Sequence, residues 1–251
     1  MHDDDVQKTW ERSRNIGSPN YYFRRQLLQK LIPTEGSGLR ALDAGCSTGG
    51  TTSLLLERGY RVDGIDLSRY AVERVKETLP SNLRSRFIGL VEDLSEFHPD
   101  LDYDLIVLSE VLEHLQDDLG ILQRVPNWLA PGGSVIITVP ADPRLWSEAD
   151  EFSQHYRRYT TEALLTLLEK AGLKPTYFWG YGFPVLRAYT ELRNYLLKGK
   201  RLELVTHISE GSMMEGALRI TSSIIKILVN LDRLFIGHGK PVGLITLATR
   251  Q

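Results

Sequence analysis

The sequence predicts an α/β fold: a seven-stranded, mostly parallel sheet with helices on both faces and a helical insertion before the last strand. Three observations carry that expectation. Short apolar runs alternate with amphipathic stretches between residues 40 and 140, the pattern of repeated strand–helix units. Small residues cluster where the first run ends, at Ala44-Gly45-Cys46-Ser47-Thr48-Gly49-Gly50. Acidic residues recur where later runs stop, at Asp66, Glu92-Asp93 and Glu110.

A helical pattern with Tyr22, Leu27, Leu28 and Leu31 begins near residue 20 and breaks at Pro33. Strands are expected at Arg40–Ala44, Arg61–Ile65, Ser85–Val91, Asp104–Ser109 and Ser134–Val139. Between them Thr51–Glu57 and Arg69–Thr78 read as helices, the second opened by Ser68 as N-cap. Pro131 followed by Gly132-Gly133 predicts a turn into the fifth strand. Residues 141–159 read as a polar, aromatic loop. Thr160 then caps a helix with Leu164, Leu165, Leu167 and Leu168 on its apolar side and Gly172 at its end. A strand near Pro175–Trp179, two helices with a polar linker across 184–236, and a last strand at Val242–Thr249 complete the chain. The expected organisation is a helical cover over 1–35, a ligand-binding sheet domain over 36–183 and 240–251, and an insertion or lid over 184–239.

Composition excludes several classes. The 251 residues suit one large domain, and 42% hydrophobic with 25% charged residues suits a globular chain. A net charge of −2 offers no basic field to a phosphate backbone, so nucleic acid is not the expected partner. Cys46 is the only cysteine, which excludes an internal disulfide and a cysteine-built zinc site. The start, Met1-His2-Asp3-Asp4-Asp5, is acidic and unlike a signal peptide. The most apolar stretch, Ile220–Ile236, is interrupted by Lys226, Asp232 and Arg233 and is too broken to span a bilayer. A cytoplasmic location is expected.

Small residues at a strand-to-helix turn let a ligand approach the backbone, and the following helix offers N–H groups and a positive end. The same turn without a ligand is the plainer alternative. Asp66 stands about twenty residues later, where an acid can bind ribose hydroxyls. Glu92-Asp93-Leu94 and Ser109-Glu110 end the third and fourth strands, so all these residues fall on the carboxyl edge of one sheet. Gly45, Ser47 and Gly50 imitate a dinucleotide fingerprint, yet that fingerprint does not call for Asp43 or Asp93.

The ordered set resembles the class I, Rossmann-like S-adenosylmethionine-dependent methyltransferases over roughly residues 38–140. The resemblance implies that Asp43 and the Gly45–Gly49 backbone hold the methionine end of S-adenosylmethionine, Asp66 the ribose, and Asp93 with Leu94 the adenine. Cys46, Leu67, Ser109 and Tyr22 complete the implied cofactor contacts. Ser47 departs from the glycine that many members carry.

The cofactor brings the reactive methyl, so the protein must hold the acceptor in line and take a proton from a hydroxyl acceptor. Candidates lie in Ser109-Glu110-Val111-Leu112-Glu113-His114. A helix here would set Glu110, Glu113 and His114 on one face. With the later His155, this set resembles the metal-binding residues of ubiquinone-pathway O-methyltransferases and small-RNA 2′-O-methyltransferases. The resemblance implies a divalent metal on Glu110, Glu113, His114 and His155. The alternatives are a metal-free role for His155 as base or orienter, with Glu110 and His114 beside it, and a purely structural role. Trp146, Asp150, His155, Tyr156, Arg158 and Tyr159 read as an acceptor-site wall, or else as a surface loop in which an arginine pairs with Asp150 or Glu151.

Trp10, Tyr21, Tyr22 and Phe23 precede or open the N-terminal helix. The resemblance implies that this helix covers the cofactor and that Arg24 or Arg25 meets its carboxylate, and the alternative is aromatic packing under a lid. Surplus apolar residues over Met213–Leu234, Met214 and Leu218 among them, suit core or homodimer packing, an acceptor tunnel, or peripheral membrane contact. The expected reaction is O-methylation of a small-molecule or lipid-linked acceptor. The alternatives are N-methylation of an amino sugar or other amine, and an inactive cofactor-binding partner subunit.

Overall fold

The computed structural model describes residues 18–198 and 224–251. After helix α1 (Pro19–Leu31), the chain runs through β1 (Arg40–Ala44), α2 (Gly50–Glu57), β2 (Arg61–Asp66), α3 (Arg69–Thr78), α4 (Ser81–Arg84) and β3 (Phe87–Val91). It continues with β4 (Tyr103–Ser109), α5 (Asp118–Trp128), β5 (Leu129–Pro140), α6 (Glu148–Phe152), α7 (Thr161–Lys170), β6 (Leu173–Tyr181), α8 (Val185–Leu197) and β7 (Gly243–Arg250). Short 3-10 turns lie at Leu112–His114, Pro143–Leu145 and Val229–Phe235.

The seven strands among the described residues form one sheet in the order β3-β2-β1-β4-β5-β7-β6. Strand β7 is antiparallel to both neighbours, while the pairs among β1 to β5 are parallel. Central strands are buried on both faces, which is why they read as unbroken apolar runs: Leu105–Leu108 and Val135–Val139 are fully enclosed. Alternation still sorts their side chains. Leu105 and Val107 join the core under α1 and α2, whereas Ile106 and Leu108 join the core under α5 and α7.

Local signals set several boundaries. Ser68 Oγ accepts the Ala71 amide at 3.1 Å and Thr160 Oγ1 accepts that of Ala163 at 3.1 Å, so both expected caps start their helices. Other expectations need correction. Pro131-Gly132-Gly133 does not precede β5 but forms an irregularity inside it, where pairing jumps from Tyr103↔Leu129 to Leu105↔Ser134. The third strand begins at Phe87, because Ser81–Arg84 forms a helical turn. Helix α5 adds an element between β4 and β5 and carries Pro126 within it. Residues 141–159 are not one loop: they hold a 3-10 turn and α6, with Ala141 bridging to Tyr159. Trp10, Met213, Met214 and Leu218 lie outside the described residues.

Helix α8 is docked rather than loose. Its Arg187 reaches Asp142 at 2.6 Å and its Asn194 donates to the Leu145 carbonyl at 3.0 Å, which fixes it on the segment after β5.

Candidate active site

The chain leaves β1 through a turn that glycine makes possible. Gly45 and Gly49 have φ of +74° and +85°, a region costly for residues with a Cβ. A Cβ on Gly45 would stand 2.6 Å from Val111 Cγ2, so the turn also lies against the segment after β4. Ser47 shares the left-handed conformation at φ 49°. The amides of Gly45 and Cys46 both donate to the Ile65 carbonyl, at 2.8 and 2.9 Å, which holds the turn at the ends of β1 and β2.

Two acids frame this turn. Asp43 is enclosed on β1 and accepts from Thr52 Oγ1 at 2.6 Å. Burial raises its pKa to about 7, opposed by the Thr52 hydrogen bond and helped by the charge of Asp66. Asp66 closes β2, and its carboxylate accepts the amides of Ser47 and Ser68, each at 2.9 Å. Leu67 beside it is 69% exposed.

The remaining expected cofactor residues are placed less uniformly. Asp93 is exposed and accepts the Ser95 amide at 2.8 Å, while Leu94 is buried with its carbonyl facing Arg124. Ser109 shares a 3.1 Å hydrogen bond with Thr138. On α1, Tyr22 is partly exposed, and Tyr21 sets its hydroxyl over Gly50.

The Glu110–His114 segment is not a helix. Glu110 has φ 58°, its amide prolongs the ladder to the Thr138 carbonyl at 3.0 Å, and only Leu112–His114 forms a 3-10 turn. Glu110 stays near enough for its charge to act on Glu113 and His114, but other partners engage it. Its carboxylate accepts from Thr138 Oγ1 at 3.0 Å and pairs with Arg24 of α1 at 2.9 Å. The four residues therefore do not converge as one ligand set. Glu113, His114 and His155 do: each offers a donor atom, all within 4.8 Å of one another.

Their surroundings are unusual. Glu113 is fully buried and neither carboxylate oxygen has a hydrogen-bond partner. Burial, then the neighbouring charge of Glu110, hold its pKa well above the carboxylate range. His114 is pushed down to about 4, by burial first and then by the facing His155. The two rings meet edge to face with centroids 4.6 Å apart. The Tyr156 amide donates to the Glu113 carbonyl at 2.7 Å, which stitches the His155 loop to the end of β4.

His155 has a firm partner. Its Nδ1 lies 2.9 Å from Oδ1 of Asp150, and Arg158 Nε donates to that same oxygen at 2.8 Å. Burial works to raise the Asp150 pKa, but the hydrogen bonds from His155 and Arg158 prevail and hold it below the usual range. Asp150 is thus an ionised acceptor, and Nδ1 of His155 is the donor. Arg157 is engaged elsewhere, with Asp118 at 2.7 Å and the Gln116 carbonyl at 2.8 Å.

Tyr181 escapes sequence reasoning. It ends β6, directly across from Gly243, and its buried hydroxyl lies near Arg24 without a well-formed hydrogen bond. No local signal marks it, since antiparallel pairing with a distant strand sets its position.

A family profile described as a methyltransferase domain matches residues 17–177, more than half of the chain, and the chain belongs to that family. A probable S-adenosylmethionine-dependent methyltransferase of Mycolicibacterium smegmatis is 28% identical over 165 residues, covering 63% of this chain and 62% of the relative. A ubiquinone biosynthesis O-methyltransferase of Sodalis glossinidius is 26% identical over 148 residues, covering 57% and 59%. The chain thus spans less than two thirds of the length of these relatives. Among solved structures, the geranyl diphosphate C-methyltransferase of Streptomyces coelicolor A3(2), in complex with Mg2+, geranyl diphosphate and S-adenosyl-L-homocysteine, is similar with a TM-score of 0.63. Identity there is 14%, over 91% of this chain and 78% of that one. The resemblance to class I S-adenosylmethionine-dependent methyltransferases holds at the level of family and fold.

Proposed function

We propose that this member of the methyltransferase-domain family moves a methyl group from S-adenosylmethionine to a hydroxyl oxygen of a small or lipid-linked acceptor. The observation that carries the reading is the buried Asp150 holding Nδ1 of His155 at 2.9 Å. When bound, S-adenosylmethionine supplies a sulfonium methyl with a neutral leaving group. Phenols lose their proton only near pH ~10 and alcohols higher, so an oxygen acceptor benefits from a base at neutral pH, whereas an amine needs only its neutral form. His155 takes the hydroxyl proton on Nε2, Asp150 stabilises the resulting imidazolium, and Arg158 keeps Asp150 in place.

The turn after β1 fits the cofactor: its glycines open a backbone cradle and two acids frame it. Asp43 with the Gly45, Cys46 and Gly49 backbone would hold the methionine end, and Asp66 with Leu67 the ribose and its lip. Asp93 and Leu94 would border the adenine, with Ser109 and Tyr22 at the margins of the site. Arg24 and α8 would wall the acceptor side, with α1 as cover and α8 as part of a lid.

A second reading has its own observation, the unpartnered oxygens of Glu113 beside two imidazoles. Glu113, His114 and His155 would hold a divalent metal, whose chemistry is to lower the pKa of a bound hydroxyl.

The test uses S-adenosylmethionine labelled with carbon-13 in the methyl group and a panel of phenols, hydroxylated lipids, sugars and amines. An O-methyl product is expected, and exclusive N-methylation would overturn the oxygen assignment. Asp150→Asn should lower kcat about 100-fold with cofactor Kd unchanged; equal turnover would refute the base. Mn2+ binding followed by water proton relaxation, and lost in Glu113→Gln, would instead support the metal. Tight cofactor binding with no transfer to any acceptor favours the non-catalytic subunit.

A further inference from the structure

The segment returning the chain to β7 has two apolar faces, and only one is used by the core. Ile225, Val229, Asp232 and Ile236 turn inward: Val229 and Asp232 are fully buried, and the two isoleucines pack on the core. Asp232 is locked there because its oxygens accept the amides of Val185 and Leu186 at 2.7 and 2.9 Å, closing the N-terminus of α8. That phasing leaves Ile224, Ile227, Leu228, Leu231, Leu234 and Phe235 facing outward at helical spacing. All are exposed, Ile227 by 71% and Leu234 by 78%. Single exposed apolar side chains are ordinary on a protein surface, but a row of six along one segment marks a binding face.

Charge selects the occupant. Between residues 224 and 240 the only acid is the buried Asp232, while Lys226, Arg233 and Lys240 are basic, in a chain whose net charge is −2. A second copy meeting this face across a two-fold axis would set cations against cations. An anionic bilayer surface complements both features, since it accepts apolar side chains at the acyl boundary and attracts the basic rim. No helix among the described residues is long and apolar enough to cross a membrane, so the contact is interfacial.

We propose that the 224–240 segment is a docking surface for an anionic lipid bilayer. It is anchored to the catalytic half, because Arg233 donates to Gln26 of α1, the helix that carries Arg24 to Glu110. This inference is independent of the proposed methyl transfer.

Sedimentation of the full chain with sucrose-loaded vesicles tests it. Vesicles of phosphatidylglycerol and phosphatidylcholine in equal parts should carry the protein down, and phosphatidylcholine alone should carry at least about tenfold less, with salt releasing the bound fraction. Leu231→Glu with Leu234→Glu should abolish sedimentation while leaving the thermal melt unchanged, and Lys226→Glu with Lys240→Glu should weaken it. Absence of wild-type binding to either vesicle would overturn the proposal. So would a Leu231→Glu, Leu234→Glu chain that sediments like wild type. Wild-type dimers by light scattering that this variant converts to monomers, without vesicle binding, would assign the face to a second copy instead.

Discussion

Replacing Asp43 with asparagine should stabilise the cofactor-free chain at alkaline pH while weakening cofactor binding. Asp43 is enclosed, with Thr52 as its hydrogen-bond partner and Asp66 as a like charge nearby. Burial raises its pKa from 3.8 to about 7 in the folded chain. The folded state therefore prefers the proton, and the stability it contributes is present in full below pH 3.8 and lost as pH rises through about 7. At ~1.4 kcal/mol per tenfold in proton affinity, ionising Asp43 costs the folded chain about 4 kcal/mol at pH 8. Asparagine keeps the shape and an oxygen for Thr52, and it has no charge to bury. Thermal melts of both chains without cofactor, from pH 4 to pH 8, should coincide at the acid end and diverge above it. The variant should gain roughly 10 °C at the alkaline end, at a few degrees per kcal/mol for a chain of this size. The same substitution should weaken S-adenosylmethionine, whose cationic end favours an ionised partner. A pH-independent difference, or a wild type more stable than the variant at pH 8, would refute this account of Asp43.

Two further substitutions probe the turn itself. Asp66→Ala should cost roughly 1.5–3 kcal/mol of S-adenosylmethionine binding by calorimetry, because it removes a charged acceptor that two amides hold in position; unchanged affinity would dismiss the ribose assignment. Gly45→Ala should destabilise the chain by about 1–3 kcal/mol in denaturant titrations, from its left-handed backbone and from the Val111 contact. Adding Val111→Ala should restore only the steric share, and full restoration would show that backbone conformation plays no part.

How far the sequence could be read depended on how local the physics was. Ser68 and Thr160 cap helices through amides three residues away, so their signal sits in one short window. The runs that became β1, β2 and β4 are buried on both faces, and their apolar continuity is the consequence. Glu110 was illegible for the opposite reason. A non-glycine residue at φ 58° breaks the helical spacing, which predicts a face that the backbone does not form. The meeting of His114 with His155 was legible only through resemblance, since it depends on Tyr156 tying one loop to another. Tyr181 over Gly243, and Arg24 with Glu110, join segments far apart in sequence and left no mark in either one.

The buried acids divide by what satisfies them, and the division separates scaffold from site. Asp63 has Arg40 and the Tyr103 hydroxyl; Asp118 has Arg157 and the Tyr159 hydroxyl; Asp142 has Arg144 and Arg187. Asp150 has Arg158 and His155, and Asp232 has two backbone amides. Each of these charges is neutralised or hydrogen-bonded inside the protein, as burial of a carboxylate demands. Asp43 and Glu113 are less well satisfied: Asp43 accepts from the neutral Thr52 hydroxyl, Glu113 has no hydrogen-bond partner, and neither pairs with a cation among the described residues. Packing alone gives no reason to keep two such groups, because an apolar residue would fill either position at lower cost. Both lie along the carboxyl edge, one on the strand that enters the glycine turn and one beside the paired histidines. Under the proposed function, a cationic cofactor beside Asp43 and an acceptor proton or a metal beside Glu113 would supply the missing partner.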